Sequence, residues 1–155
     1  MTQGIDSYVT LAEADDYVAN FYAQTSWSDL SETQKEQRLV LACERLEALP
    51  FTGRKRTLVQ SLLFPRWPSD IVPEAIKAAQ VEIAVLDLRE DATKVVAAAA
   101  KRAALQQQGV TAYSVGHLSE SYGGGSAAFA EFPFMADNKI QSLLRTFLRG
   151  GHVTC

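Results

Sequence analysis

The hydrophobic positions of the first fifty residues repeat at the spacing of amphipathic helices. Two capping boxes, Thr10–Glu13 and Ser31–Gln34, each precede such a repeat. They predict a first helix that ends at about Tyr22 and a second that ends at about Leu49, before Pro50. The apolar stripes of these helices are Leu11, Ala14 and Val18, then Leu39, Ala42, Cys43, Leu46 and Leu49. We expect both stripes to face a common core.

A third helical pattern begins at Pro73, where the missing N–H of proline costs no hydrogen bond. Its predicted buried stripe is Ile76, Ala79, Ile83 and Leu86. The pattern continues to Gln108, either as one long helix or as two helices if Asp91 caps the second, and Gly109 is a plausible stop. The four alanines at 97–100 permit close helix–helix approach, or simply reflect high helix propensity.

Residues 51–72 lie between the second and third helical patterns and have no clear period. Gly53, Pro65 and Pro68 interrupt the segment, yet it contains several apolar residues, namely Leu62, Leu63, Phe64 and Trp67. A wholly exposed apolar loop would be a liability. We therefore predict an ordered loop that packs on the core.

The last third of the chain changes character. Residues 110–122 favour a short hairpin or bent strand. Gly123–Gly125 follows, and we interpret it as a hinge because glycine has the greatest backbone freedom. Asp137 is then placed to cap an amphipathic helix that runs to about Arg149.

These patterns predict a mainly α fold, a small helical bundle with an extended strand-like arm or hairpin and a C-terminal amphipathic helix. The predicted boundaries are a helical core at 1–109, the arm with its glycine hinge at 110–136, and the last helix and tail at 137–155. A chain of 155 residues suits one domain with a modest core. An extended arm contributes little to a monomer, so we interpret it as a segment that reaches a neighbour.

Composition and charge limit the cellular location and the kind of assembly that we expect. No apolar run approaches the roughly 18 residues of a membrane span, and the N-terminus lacks the features of a signal peptide. The two cysteines, Cys43 and Cys155, are not expected to form a disulfide, which favours a reducing, intracellular origin. Residues 1–50 carry nine acids and three bases, a charge of −6, and the remainder carries +3. Such a division suits head-to-tail or ring packing, or reflects ordinary variation between helix surfaces.

Catalytic motifs are missing from the sequence, and we predict no enzyme, no metal and no cofactor. There is no nucleophile elbow, phosphate-binding loop, dinucleotide fingerprint or zinc-protease motif. His152 and Cys155 fall short of the four ligands of a structural zinc site. The acidic pairs Asp15–Asp16 and Glu90–Asp91 are explained by solvation and helix capping.

One basic segment is a candidate for contact with DNA. Its cations are Arg54, Lys55, Arg56 and Arg66. Because Trp67 follows them, the segment combines phosphate-binding cations with an aromatic ring on which a base can stack. Alternatively, the loop pairs with acidic residues in the first two helices of a neighbouring subunit, such as Asp15 or Glu36, or is simply solvated.

Five segments, in this order, resemble the head–tail connector (adaptor) proteins of long-tailed phages, whose sequences often carry the label of DnaT-like single-stranded-DNA-binding proteins. The segments are Ser7–Tyr17, Leu46–Arg54, Leu63–Arg66, Val72–Glu82 and Val115–Tyr122. They are spread across most of the chain, from residue 7 to residue 122. Residues 92–108 depart from the family because they are richer in alanine and more helical in character.

The resemblance implies a structural role. Such connectors form a ring, typically twelvefold, under the portal protein of a DNA-filled capsid, where they extend the DNA channel and dock tail, stopper or tail-terminator proteins. This implies weak, non-specific contact with passing double-stranded DNA, no membrane, and a location at the virion neck after assembly in the host cytoplasm. The alternative, which the label implies, is an accessory protein that binds single-stranded DNA.

The predicted docking residues for a portal or a neighbouring subunit lie in the arm and the last helix. Those of the arm are Tyr113, Val115, His117, Leu118 and Tyr122. Those of the last helix are Ile140, Leu143, Leu144 and Phe147, with Gly123, Gly124 and Gly125 as the hinge between the two groups.

Overall fold

The computed structural model describes residues 1–22, 26–89 and 132–148, together with the backbone of residues 112–115 and 118–121. This part of the chain is mainly helical, as predicted. Its helices are α1 (Leu11–Phe21), α2 (Glu32–Glu47), α3 (Glu74–Val85) and α4 (Asn138–Leu144). Single 3₁₀ turns follow α3 and precede α4, at Leu86–Leu88 and Pro133–Ala136. Among the helices described, none combines the length and apolarity needed to cross a bilayer.

Both predicted capping boxes are confirmed. The Thr10 hydroxyl accepts a hydrogen bond from the backbone N–H of Glu13 (3.2 Å), whose carboxylate accepts one from the backbone N–H of Thr10 (2.7 Å). Ser31 and Gln34 form the same reciprocal pair at the start of α2. Because each box satisfies backbone donors that a helix leaves free at its N-terminus, short local sequences determine both helix starts.

Helix α3 lies at the centre of the fold and contacts α1, α2 and α4. Its predicted apolar residues Ile76, Ala79 and Ile83 are buried. The polar residues Gln80 and Glu82 are completely buried as well. Since a helix covered on several faces cannot leave its polar side chains in water, each of the two needs partners within the protein.

Gln80 finds those partners in three segments. Its side-chain carbonyl accepts a hydrogen bond from the backbone N–H of Tyr8 (2.9 Å). Its amide donates to the Ser7 hydroxyl (2.9 Å) and to the backbone carbonyl of Leu39 in α2 (2.8 Å). Both ends of the amide are therefore used, and Gln80 fixes the N-terminal segment against α2 and α3.

Helix α3 ends at Val85, whereas one of the two predicted alternatives was a single helix that continues to Gln108. After the 3₁₀ turn, Arg89 has extended backbone (φ −79°, ψ 149°). Its guanidinium bonds to Glu82 (3.2 Å) and Asp137 (3.1 Å), which holds the chain in this conformation as it leaves the core. One uninterrupted helix over 74–108 is therefore wrong. Whether a second helix forms after Arg89, and how the alanines at 97–100 pack, lies outside the described residues.

Helix α4 is shorter than the predicted helix, which extended to about Arg149. It begins as predicted, because the Asp137 carboxylate accepts a hydrogen bond from the backbone N–H of Ile140 (2.9 Å). It ends at Leu144, and the chain then pairs with the segment that follows α2: the backbone N–H of Thr52 donates to the Phe147 carbonyl (2.7 Å). This pairing, rather than any local stop signal, ends the helix.

Two strands in the region predicted as an arm pair in antiparallel fashion. Strand β1 (Ala112–Val115) is in register with β2 (Leu118–Ser121), so that Ala112 faces Ser121 and Val115 faces Leu118. The hinge at Gly123–Gly125 lies outside the described residues. The extended arm as a whole therefore stays a prediction.

Candidate nucleic-acid interface

The four basic candidates lie together on one surface loop, residues 53–71, which we call the basic loop. Its two arms approach each other at the base, where the backbone N–H of Arg56 donates to the Pro65 carbonyl (3.0 Å) and that of Trp67 donates to the Arg54 carbonyl (3.0 Å). Lys55 and Arg66 form the bridge between the two arms. Four basic residues and Asp70 give the loop a charge of +3 within a chain of −3.

The loop is anchored on the core by aromatic packing, as predicted. Phe64 is buried, and its ring makes edge-on contacts with Tyr8, Phe51 and Phe147 at centroid distances of 6.1, 4.9 and 5.7 Å. Aromatic pairs in this arrangement contribute beyond the area that they bury. The base of the loop therefore has a fixed position relative to the helices.

A half-buried carboxylate makes a second anchor. Glu47, the last residue of α2, accepts hydrogen bonds from the backbone N–H of Leu63 (2.8 Å) and from the Tyr8 hydroxyl. Burial raises the pKa of Glu47, although these hydrogen bonds act in the opposite direction. Burial and the nearby carboxylate likewise raise the pKa of Tyr8. The loop is held to the core by its backbone N–H groups, since that of Leu63 donates to Glu47 and that of Phe64 donates to the Tyr8 hydroxyl.

Arg54 and Trp67 form the exposed face of the loop base. The Arg54 guanidinium lies 5.4 Å from the centre of the Trp67 ring, a cation–π distance, and 53% of Trp67 is exposed. Arg54 has no carboxylate within ion-pair distance among the described residues. The pair thus presents a cation and a large aromatic surface side by side to solvent.

The other three cations are engaged within the loop. Arg66 donates to the carbonyls of Phe51 (3.4 Å) and Gly53, and its guanidinium lies 5.7 Å from the Phe64 ring. Lys55 donates to the carbonyls of Gln60 (3.3 Å) and Ser61 (3.2 Å), on the opposite arm. Arg56 pairs with Asp70. Arg66 and Lys55 therefore shape the loop, and Arg54 is the cation most available to a ligand.

Gly53 permits the sharp entry into the loop. Its φ of +80° lies in the left-handed region that side chains rarely adopt, and an added Cβ would lie 3.8 Å from Nε of Arg66. The backbone conformation, rather than crowding, is therefore the reason for glycine here.

A family model described as "Putative DnaT-like ssDNA binding protein" matches residues 1–154. The chain belongs to this DnaT-like family. No curated protein and no solved structure matches it. The match confirms the DnaT-like part of the resemblance, and the connector role stays a prediction.

In this DnaT-like chain, the predicted docking residues fall into four groups. Ile140 and Leu144 are completely buried in the core, so we leave them out of the docking surface proposed below. Leu143 and Phe147 are half-buried against that core. Of the arm residues, Tyr113, Val115 and Leu118 lie on β1 and β2. His117 and Tyr122 lie outside the described residues.

The DnaT-like chain also contains a buried polar cluster that the sequence did not indicate. Glu82 is its centre, and its carboxylate oxygens lie 2.7 Å from the Tyr17 hydroxyl, 3.2 Å from the Arg89 guanidinium and 2.6 Å from the Lys139 ammonium. The Tyr22 hydroxyl donates to the same carboxylate. Burial and the hydrogen bonds to Glu82 raise the pKa of both tyrosines.

The charges of this cluster balance, because its acids are Glu82 and Asp137 and its bases are Arg89 and Lys139. Asp137 pairs with Arg89. The cluster joins α1, α3 and α4, and every charge has a partner. We therefore assign it a structural role, in which it fixes the three helices relative to one another.

Potential metal ligands and the thiol of Cys43 can be located in the part of the chain that the structure describes. No group of three histidine, cysteine, aspartate or glutamate side chains in it is placed to hold a metal ion. Cys43 is buried, and burial raises the pKa of its thiol to about 12. Its thiolate form is therefore scarce at neutral pH.

Proposed function

We propose that this DnaT-like protein binds single-stranded DNA without sequence preference, through the basic loop. The observation that supports this most directly is the exposed pair of Arg54 and Trp67. Proteins that bind single strands in this way combine cations that neutralise phosphates with aromatic rings on which bases stack. The family description names the same class of ligand.

The expected contact is short and weak. One base stacks on Trp67, a contact worth roughly 1–3 kcal/mol per base. Arg54 neutralises an adjacent phosphate, and Arg56 adds a second when it exchanges Asp70 for DNA. With two phosphates, the logarithm of affinity should fall with the logarithm of salt at a slope of about −1.4. The net charge of −3 opposes any tighter electrostatic binding.

Binding of a fluorescent oligothymidylate, followed by anisotropy over a salt series, tests this proposal. Trp67→Ala should weaken binding by roughly 5- to 150-fold, the range that corresponds to one lost stacking contact. Arg54→Ser should weaken binding and reduce the salt slope by about 0.7.

The matched control is Arg45→Ser, which removes an exposed cation from α2 rather than from the loop. It should leave both affinity and salt slope close to those of the unchanged protein. If Trp67→Ala binds the oligonucleotide as tightly as the unchanged protein, the loop is not the binding surface.

A second candidate function is the head–tail connector, which the pairing of β1 with β2 favours. Among the described residues the sheet has these two strands, and in this proposal its outer edge accepts a strand of a partner. A two-stranded hairpin alone is at best marginally stable, and strand addition supplies main-chain hydrogen bonds at such an edge. In this proposal the hairpin, with Tyr113, Val115 and Leu118, docks a portal or neighbouring subunit.

The connector would act by geometry and without catalysis. Subunits would form a ring, twelvefold by resemblance, at the virion neck, and Leu143 and Phe147 would contribute the half-buried part of its docking surface. The basic loop would then contact passing double-stranded DNA rather than single strands. A preference for duplex over single-stranded oligonucleotides of equal length would therefore favour the connector.

Co-purification with the phage portal protein tests the docking step. Ser119→Pro removes a backbone donor from β2 and should abolish co-purification, because proline interrupts strand pairing. Ser119→Ala at the same position keeps the backbone donor and should co-purify like the unchanged protein. Equal recovery of the proline variant would exclude the hairpin as the docking element.

A further inference from the structure

The outer end of the basic loop exposes two adjacent aliphatic side chains. Leu58 is fully exposed and Val59 is 93% exposed. The turn that carries them is well ordered by hydrogen bonds, since the backbone N–H of Thr57 donates to the Gln60 side chain (2.8 Å) and Lys55 donates to the Gln60 carbonyl (3.3 Å). We call Leu58 and Val59 the apolar tip. An ordered turn that holds two aliphatic side chains in water is typical of a contact surface rather than of a linker.

A groove on the outer face of α2 has the complementary character. It has a volume of about 330 Å³ and is lined by Met1, Thr33, Glu36, Gln37, Val40, Leu41 and Glu44. Leu41 is 47% exposed there. Apart from Met1, these residues lie on the face of α2 opposite the core stripe of Leu39 and Leu46. The groove thus combines the apolar side chains of Met1, Val40 and Leu41 with two carboxylates, Glu36 and Glu44. The N-terminal ammonium of Met1 lies 3.6 Å from the Glu36 carboxylate, so these charged groups sum to −1.

We propose that the apolar tip of one copy of this chain inserts into the α2 groove of a second copy. The apolar tip meets the apolar side chains of the groove. Lys55 and Arg56 precede the tip, and they meet the groove carboxylates Glu36 and Glu44 when Arg56 exchanges Asp70 for them. This complementarity of charge identifies the occupant, because the basic loop and the acidic N-terminal helices belong to the same chain.

The positions of the two surfaces determine the kind of assembly. The loop is held at Glu47, the C-terminal end of α2, whereas the groove covers residues 33–44 of that helix. Tip and groove are therefore different surfaces of one subunit, and the contact is head-to-tail. Such a contact leaves a free tip at one end of an open assembly and a free groove at the other, so further copies can add. The assembly therefore either closes into a ring or grows as a filament.

The contact should be weak for a single pair. Two side chains bury much less than the roughly 1,200–2,000 Å² of a stable protein interface. Self-association should therefore depend steeply on concentration, and closure of a ring would strengthen it because each subunit then makes two contacts. The proposal does not depend on DNA binding, since the tip lies apart from Arg54 and Trp67 at the loop base.

Two variants and their mixture test the proposal by native mass spectrometry and light scattering. The tip variant is Leu58→Ser with Val59→Ser, and the groove variant is Leu41→Ser with Glu44→Arg. All four positions are exposed, so circular dichroism should show an unchanged fold. Each variant alone should be monomeric where the unchanged protein associates. At the highest soluble concentration, where even one weak contact forms, the mixture should give one-to-one dimers and nothing larger, because only one tip and one groove remain per pair.

Ile71→Ser is the matched control, since it removes an exposed aliphatic side chain from the same loop, away from the tip. It should associate like the unchanged protein. The proposal is overturned if the unchanged protein stays monomeric at its highest soluble concentration, if the tip variant associates normally, or if the mixture stays monomeric. Normal association of the tip variant would assign self-association to another surface. A monomeric mixture would show that the tip and the groove do not bind each other.

Discussion

The buried carboxylate of Glu82 offers the sharpest test of how this fold is stabilised. Glu82 is completely buried in α3, and it accepts hydrogen bonds from Tyr17 and Tyr22 and pairs with Arg89 and Lys139. We consider Glu82→Gln, which keeps the shape of the side chain and removes its charge. One acceptor oxygen becomes an amide donor that faces other donors.

The expected loss follows from the charges that remain. With Asp137 as the only acid, the cluster changes from neutral to +1. Removal of one partner from a buried ion pair costs about 3–5 kcal/mol. Lys139 is 38% exposed and can turn partly towards water, so we expect about 3 kcal/mol. That is a large share of the roughly 5–15 kcal/mol that stabilises a typical domain.

Urea unfolding, followed by far-ultraviolet circular dichroism, measures this loss. With a slope of about 2 kcal/mol per molar urea, the midpoint should fall by about 1.5 M. The control is Asp87→Asn, the same acid-to-amide change in the exposed ion pair between Arg38 and Asp87. That pair contributes at most about 1 kcal/mol, so its midpoint should fall by less than about 0.5 M.

A spectroscopic readout accompanies the unfolding experiment. Because Glu82 raises the pKa of Tyr17 and Tyr22 in addition to burial, Glu82→Gln should lower both values without returning them to the ordinary range. The second change Lys139→Met should recover part of the lost stability in a double-mutant cycle. A Glu82→Gln midpoint no lower than that of Asp87→Asn would refute the reasoning, because the carboxylate would then not be required to neutralise the cluster.

Three further predictions concern the core and its connections. Leu144→Ala should lower the free energy of unfolding in urea by about 2–5 kcal/mol, because Leu144 is completely buried. Leu143→Ala should lower it clearly less, because Leu143 is half-buried. Equal losses would contradict the burial assigned to α4. Replacement of residues 90–131 by a short glycine–serine linker should leave the helical core folded by circular dichroism, because the contact of Arg89 with Asp137 brings both ends of that segment together; loss of cooperative unfolding would show otherwise. Cys43 should react with a maleimide far more slowly at pH 8 than after unfolding in urea, since burial raises its pKa to about 12; equal rates would contradict its burial.

Local signals in the sequence predicted the starts of the helices. The capping boxes at Thr10–Glu13 and Ser31–Gln34 and the cap at Asp137 require only residues within one turn, so no knowledge of the fold was needed. The stripe of Ile76, Ala79 and Ile83 was equally readable, because helical periodicity depends on neighbours in sequence. The mainly α class followed from these local features.

The candidate surface was predictable only in part. The cluster of basic residues and Trp67 is visible in the sequence, but which cation faces solvent is not. Arg66 turns back to the carbonyls of Phe51 and Gly53, whereas Arg54 lies against Trp67 on the outside. The sequence analysis does not predict the apolar tip. The signal for it is that Leu58 and Val59 stand between basic and polar neighbours and outside any helical stripe.

The sequence by itself determined which segments form helices, which face of each helix is apolar, and the local caps at which the helices begin. The tertiary structure decided where helices end and which polar residues are buried. Helix α4 stops at Leu144 because Phe147 pairs with Thr52, and α3 gives way to an extended Arg89 held by Glu82 and Asp137. Those partners lie far apart along the chain, so their effect arises only when folding brings them together. A charged residue such as Glu82 can be buried in a helix because other helices supply the opposite charges, a condition that no sequence window contains.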